Sequence, residues 1–274
     1  MMNADILYKT AFGRALFKVL QKTGAFRLAA KFLHTRASKR IIPGYIKKNG
    51  IDMRPFEGQT YNSFAAFFGR TMDNIKFDSS PNALISPCDS QLTVYGVTEE
   101  LTIPMKGSVY GICDLVPDDE IAKQFNGGLC LVFRLEASDY HHFCCFDGGK
   151  LIKTNFIPGQ LHSVQPVAIN RIPVFRLNRR WWSVLETENF GTAVQIEVGA
   201  MAVGGVTFSV ENGHFSRGDE MGNFELAGST ILLLLNSSVR ERLRFNENMI
   251  PALNGESEVR VRIGSSIGEL INED

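Results

Sequence analysis

Cysteine is sparse in this chain and shows no pairing pattern. Cys88, Cys113, Cys130, Cys144 and Cys145 are the only five among 274 residues. No Cys-x-x-Cys spacing occurs. An odd count without paired spacing argues against a disulfide framework and a zinc knuckle, and fits a reducing compartment. No apolar run approaches the roughly 18–20 residues that a membrane-spanning helix needs. A secretory signal is not expected either, because Lys9, Arg14 and Lys18 interrupt the first apolar stretch. The Gly-x-Ser-x-Gly elbow is absent, which argues against an α/β-hydrolase. Internal repeats and low-complexity segments are also missing. What remains is 44% hydrophobic content in a chain long enough for one large domain or two small ones.

Acidic residues are nearly absent from the start. Residues 1–50 hold eleven Lys or Arg and one acid, Asp5, while the rest holds eighteen basic and twenty-eight acidic residues. A basic head on an acidic body suggests an anionic partner, either nucleic acid or a membrane surface. Residues 4–23 read as a helix ending at Gly24, with Arg14, Lys18 and Lys22 as one stripe and Phe12, Leu16, Val19 and Leu20 opposite. A second basic amphipathic segment covers 25–34, with Arg27 and Lys31 four apart. Two such helices fit an interfacial anchor better than a nucleic-acid reader, since no nucleic-acid-binding motif is present. The plainer alternative is that they pack on the body with their charges solvated.

Residues 1–80 look helical, broken at Pro43-Gly44 and near Pro55, and "YNSFAAFFGR" sets Phe64, Phe67 and Phe68 on one helical face. From about residue 85 the texture becomes short β-branched or aromatic runs bounded by Gly, Pro or Asn, such as "LCLVFRL", "AVQIEVG" and "GVTFSV". "EVRVRIG" alternates strictly, with Val259, Val261 and Ile263 facing one way. The expected class is α+β: a helical N-terminal cap on a mostly antiparallel β body.

Chemistry-bearing residues are scattered. Asp89 follows Ser-Pro-Cys, "SDYHHFCC" groups Asp139, Tyr140, His141 and His142, His162 lies in a loop-like stretch, and Ser229 sits in "AGST" before the apolar run 231–235. Ser, His and Asp suggest an activated nucleophile. His141 and His142 are adjacent and would point to opposite faces of a strand, which disfavours a shared metal ion. Taken singly, each has a plain structural reading; Gly228-Ser229-Thr230 could simply be a turn into a buried strand.

Taken in order, these segments resemble the phosphatidylserine decarboxylase family. "YNSFAAFFGR" is similar to its Ser-Phe-x-x-Phe-Phe-x-Arg segment, "SPCDS" to Ser-Pro-x-Asp, and "PMKGSVYGICDLV" to Lys-Gly-x-x-Tyr-x-x-x-x-Leu. "DYHH" is similar to Asp-Tyr-His-Arg, "VGAMAVGGV" to Val-Gly-Ala-x-x-Val-Gly, and "RGDEMGNFELAGST" to the approach to a Gly-Ser-Thr cleavage site. The resemblance implies a helical membrane-associating region, 1–80, and a β-rich catalytic body, 81–274. It implies self-cleavage between Gly228 and Ser229 into chains 1–228 and 229–274 that stay associated. The cofactor implied is a pyruvoyl group made from Ser229, with no metal. Its ketone would take the amine of phosphatidylserine and release phosphatidylethanolamine.

The implied partners are that lipid and an anionic membrane surface on the cytoplasmic side of a prokaryotic cell. Homodimer formation stays open. Asp89 would orient a histidine that takes the Ser229 proton. The chain departs from the family at Cys144, where a second histidine is usual, so His141 and His162 both stand as the base. His141 is also the candidate proton carrier in decarboxylation, and Thr230 a candidate to polarise the scissile carbonyl. Ala227 and Ser90 are smaller departures. A membrane-binding paralogue that never processes, and a pyruvoyl decarboxylase of a small soluble substrate, are the alternatives.

Overall fold

The computed structural model describes residues 4–105, 108–200, 205–210, 213–226 and 229–271. Helices lead the chain: α1 (Ala4–Lys9), α2 (Ala11–Lys22), α3 (Ala25–Leu33), α4 (Ile42–Asn49) and α5 (Phe64–Phe68). The expected first helix is therefore two. Thr10 interrupts it in extended conformation and caps α2 by accepting the Gly13 N–H at 2.9 Å. Gly24 closes α2 with φ of 72°, the left-handed conformation that favours glycine. The side chains of Arg14, Lys18, Lys22 and Arg27, four of the five residues in the expected basic stripes, lie outside the described residues.

The strands among the described residues are β1 (Ala83–Ile85), β2 (Ser90–Gly96), β3 (Thr102–Met105), β4 (Ser108–Gly111), β5 (Leu129–Leu135), β6 (His142–Cys144), β7 (Gly149–Ile157), β8 (Arg180–Thr187), β9 (Gly191–Val198), β10 (Val206–Phe208), β11 (Gly213–Phe215), β12 (Glu220–Phe224), β13 (Ser229–Leu235), β14 (Leu243–Phe245), β15 (Val259–Val261) and β16 (Ser266–Leu270). Eight of them form one sheet in the order β11-β7-β8-β9-β13-β5-β2-β15, and smaller sheets run β10-β12-β6, β1-β16-β14 and β3-β4. Every pairing between these named strands is antiparallel. The architecture is α+β, as expected.

β13 is central, flanked by β5 and β9 along its length, which is why "STILLLL" is buried throughout. Its residues alternate between two cores. Ile231, Leu233 and Leu235 join Phe143, Phe224 and Met221 on one face. Leu232 and Leu234 join Val164, Trp182 and Phe17 on the other. A third core gathers Phe64, Phe67 and Phe68 of α5 with Ile42, Ile51 and Leu226. Ser63 starts α5 by accepting the Ala66 N–H at 3.1 Å, and the resulting turn puts all three rings on one side.

Candidate active site

Strand register brings three of the motifs to one end of the large sheet. Ser229 is the first residue of β13 and sits opposite Leu135, the last of β5. Ser90, the first residue of β2, lies on the far side of β5 and opposite Val261. Asp89 immediately precedes it. Alternation turns the Ser229 side chain to the face of Ile231 and Leu233 and the Thr230 side chain to the other. Ser229 is 1% exposed. Gly228 and Ala227, the other residues of the expected cleavage site, lie outside the described residues.

The chain entering Ser229 is held at three consecutive positions. The Phe224 N–H donates to the His141 carbonyl at 2.9 Å and the Glu225 N–H to the Gly205 carbonyl at 3.1 Å. Leu226 is buried in the α5 core. The same helix supplies Phe68, whose ring centre lies 4.2 Å from that of His141. His141 and the approach to Ser229 are thus fixed by shared neighbours.

His141 is fully buried. Its Nδ1 lies 2.9 Å from the Asp139 carbonyl, which can only accept, so Nδ1 carries the proton and Nε2 presents a bare lone pair. That Nε2 has no hydrogen-bond partner. Burial, followed by the charges of Arg70 and His142, pushes the imidazole down to about 3, against the Asp139 hydrogen bond. The ring is neutral at physiological pH. His142 points elsewhere, toward Glu220 at 2.9 Å and stacked on Tyr140.

The other two sequence candidates have different neighbours. Asp89 accepts from Arg262 Nη1 at 2.7 Å and from the Ile263 N–H at 2.9 Å; no histidine among the described residues bonds to it. His162 lies at the same end of the sheet but over the opposite face. Phe17 packs on it at 5.0 Å between ring centres, and both ring nitrogens are engaged, with Gln160 Oε1 at 2.6 Å and Tyr8 Oη at 3.4 Å. Burial holds it down to about 4. The structure therefore gathers Ser229, Asp89 and His141 on one side and sets His162 on the other.

Cys144 touches the loop that leads to Asp89. Its N–H donates to the Pro87 carbonyl at 2.8 Å, in the Ser-Pro-Cys-Asp loop. Burial raises its thiol far above the usual range, so it is neutral and not a base.

Sequence reading passed over Glu197. This residue lies opposite Ile231 and so shares the Ser229 face, one register step away. It is fully buried, its Oε1 accepts from Gln195 Nε2 at 2.9 Å, and its Oε2 is unpartnered. Burial pushes its carboxyl up to about 7. The signal was an acid inside "AVQIEVG", an otherwise apolar run. Arg262 was also missed, because its partner Asp89 is 173 residues away in sequence.

The surroundings fit a small carbonyl group at position 229. Ser229 is buried, and an unpartnered polar atom on the same face, Glu197 Oε2 on β9, lies close along the strand register. Among the described residues no cluster of three or more His, Cys, Asp or Glu could hold a metal. No described helix is long and apolar enough to cross a membrane.

Comparison with known proteins decides the family. The family model for phosphatidylserine decarboxylase matches residues 64–269. The chain belongs to the phosphatidylserine decarboxylase family. It is 37% identical to phosphatidylserine decarboxylase proenzyme 2 of Clostridium acetobutylicum over 96% of this chain and 90% of that protein. It is 34% identical to the phosphatidylserine decarboxylase proenzyme of Ruminiclostridium cellulolyticum, over 98% and 91%. With that of Clostridium kluyveri the identity is 36%, over 95% and 90%. The decarboxylase match thus spans α5, the His141 segment and β13, including the contacts that hold the approach to Ser229.

Proposed function

We propose that this chain cuts itself between Gly228 and Ser229 and then decarboxylates phosphatidylserine to phosphatidylethanolamine at a membrane surface. The observation that carries the reading is the buried Ser229 at the head of the central strand, with its approach clamped beside a neutral histidine whose Nε2 is unoccupied.

The Ser229 Oγ attacks the Gly228 carbonyl carbon, the peptide C–N bond breaks, and the acyl group passes from nitrogen to oxygen. His141 Nε2 takes the hydroxyl proton, and a proton returns to the released amine. Elimination across Cα–Cβ of residue 229 then frees chain 1–228 as a carboxylate and leaves dehydroalanine. Water replaces its nitrogen, ammonia departs, and a pyruvoyl group caps chain 229–274. Bound in this site, that group supplies a ketone to hold the substrate amine and an electron sink for the loss of carbon dioxide. The chain's own residues exclude water from it, through Ile231, Leu135 and the α5 core, and His141 carries the proton.

Asp89 acts through the backbone. It grips Arg262 and the Ile263 N–H and so fixes the 86–89 loop on which Cys144 rests. His162 is the weaker candidate for the base, because both its nitrogens are already engaged.

Membrane association rests on the N-terminal helices. α1 and α2 bury Leu7, Tyr8 and Phe17 on the body, yet leave Phe12 74% and Val19 54% exposed, and α3 leaves Leu28 72% exposed. Apolar groups turned outward on basic helices suit an anionic, cytoplasmic leaflet. A small soluble substrate would not call for them.

The second reading is a membrane-binding paralogue that stays uncut, favoured by Cys144 in the usual histidine position and by Asp89 having no histidine partner. Intact mass under denaturing conditions, beside Ser229→Ala, separates the two. Fragments 1–228 and a pyruvoyl-blocked 229–274, with the variant whole, support the enzyme. A wild-type chain that remains whole in the presence of phosphatidylserine vesicles refutes it.

A further inference from the structure

A pocket of about 420 Å³ opens beside Asp89 and Tyr140. Four cations line it, Arg70, Lys76, Arg260 and Arg262, against two acids, Asp52 and Asp89. Arg70 is the informative one. It is 3% exposed. Its guanidinium lies over the rings of Phe56 and Phe67, at 4.7 and 5.0 Å. Two neutral carbonyls receive its Nη atoms, that of Asp139 at 3.2 Å and that of Phe67 at 3.4 Å. Its Nε has no acceptor.

No carboxylate among the described residues forms a direct ion pair with Arg70; Asp139 favours its charge only through space, and each nearby acid is paired elsewhere. Asp139 is paired with Arg260, Asp89 with Arg262, and Asp52 with Arg54. A buried guanidinium without a directly paired carboxylate is costly. Its planar fork of donors matches phosphate and carboxylate oxygens.

We propose that the pocket around Arg70 is a built site for a phosphate-type oxyanion, whose source is the head group of an anionic phospholipid. The choice of source rests on the decarboxylase reading above; the oxyanion site itself does not. The location gives binding a consequence. Tyr140 lines the pocket and His141 follows it in sequence. After burial, the Arg70 charge is the next cause that holds His141 down, ahead of His142. An anion on Arg70 cancels that repulsion and makes His141 Nε2 more basic when substrate is present.

The test uses the full-length Ser229→Ala chain, which cannot cleave, so only non-covalent binding is read. Titration calorimetry with glycerophosphoserine and with inorganic phosphate gives the two arms. The expected result is binding of glycerophosphoserine at least about tenfold tighter than of phosphate, weakened about tenfold or more by Arg70→Gln. Equal binding of the two ligands keeps the oxyanion site but overturns the lipid source. No binding of either, or unchanged affinity in a folded Arg70→Gln chain, overturns the site. Should Arg70→Gln fail to fold by circular dichroism, Lys76→Glu reverses a charge at the pocket wall, and unchanged affinity there is equally decisive. Wild-type cleavage is followed by mass alongside. Cleavage without ligand binding defeats the pocket alone, and binding without cleavage defeats the decarboxylase reading alone.

Discussion

Replacing Glu197 by glutamine removes one titrating proton from the buried face that carries Ser229 and nearly nothing else. The amide has the same shape and can keep the contact to Gln195 Nε2. In the folded chain, burial moves this carboxyl from 4.5 to about 7, and the Gln195 hydrogen bond offsets only part of the effect. Between those two values the unfolded chain has released the proton and the folded chain still holds it. Stability therefore falls as pH rises through the window, by about 1.4 kcal/mol per pH unit and about 3 kcal/mol in total. Above about 7 the loss is complete and constant.

His141 works in the opposite direction. Its folded value of about 3 lies below the ordinary 6.5, so between these the unfolded chain holds the extra proton and stability rises with pH. From about 4.5 to 6.5 the two trends oppose each other, and the Ser229→Ala chain should show a nearly flat contribution from this pair. Adding Glu197→Gln exposes the rising His141 trend alone. Urea unfolding of both chains from pH 4.5 to 8, followed by tryptophan fluorescence, measures the difference. The variant should gain about 3 kcal/mol relative to its parent between pH 4.5 and pH 7.5. A difference that stays constant within about 0.5 kcal/mol across that range refutes a protonated, buried Glu197.

Three further outcomes follow from the same geometry. His141→Gln should slow self-cleavage about a hundredfold or more, read on denaturing gels over time, whereas His162→Gln should stay within about threefold of wild type; the reverse ranking would move the base to the other face of the sheet. Cys144→Ala should leave the cleavage half-time within about threefold, because a thiol raised by burial is protonated and idle; a large loss would give it a role in proton transfer. Leu226→Ala should destabilise the Ser229→Ala chain by about 2–4 kcal/mol and, in the cleavable chain, slow cleavage by loosening the residue three places before Ser229; thermal unfolding and a cleavage time course report the two effects separately.

Local periodicity made much of the architecture legible. The change from helical spacing to short alternating runs near residue 85 marks where β1 begins, and Gly24 ends α2 as a left-handed glycine must. Spacing could not say which of two apolar stripes on the first helices meets the body. Phe12 and Val19 were grouped as one face, yet Phe17 makes the buried contact and the other two face outward. Nor could it supply the partner of Asp89. The family motif suggests a histidine, and the structure offers Arg262, 173 residues away. Arg70 looked like the end of an aromatic helix motif; its meaning lies in the absence of a carboxylate partner, which only the folded arrangement reveals. Long-range pairing decides such neighbours, and a single sequence does not encode it in any short pattern.

His162 gains a different significance from this arrangement. Its N–H donates to Asn178 Oδ1 at 2.8 Å, and Asn178 Nδ2 donates to the His162 carbonyl at 2.8 Å and to the Gly199 carbonyl at 2.7 Å. Gly199 follows Val198, which is paired with Thr230, so this chain of contacts ends beside the head of β13. At its other end stand Tyr8 and Phe17, the inward anchors of the two helices whose outward side chains are apolar. On the proposed function, a lipid keeps its acyl chains in the bilayer while its head group reacts, so helices that dock on the membrane must lie close to the reacting residue. Tethering through His162 and Asn178 meets that requirement. It also explains a histidine with both nitrogens engaged, as a strut between the N-terminal helices and the strand that begins with Ser229.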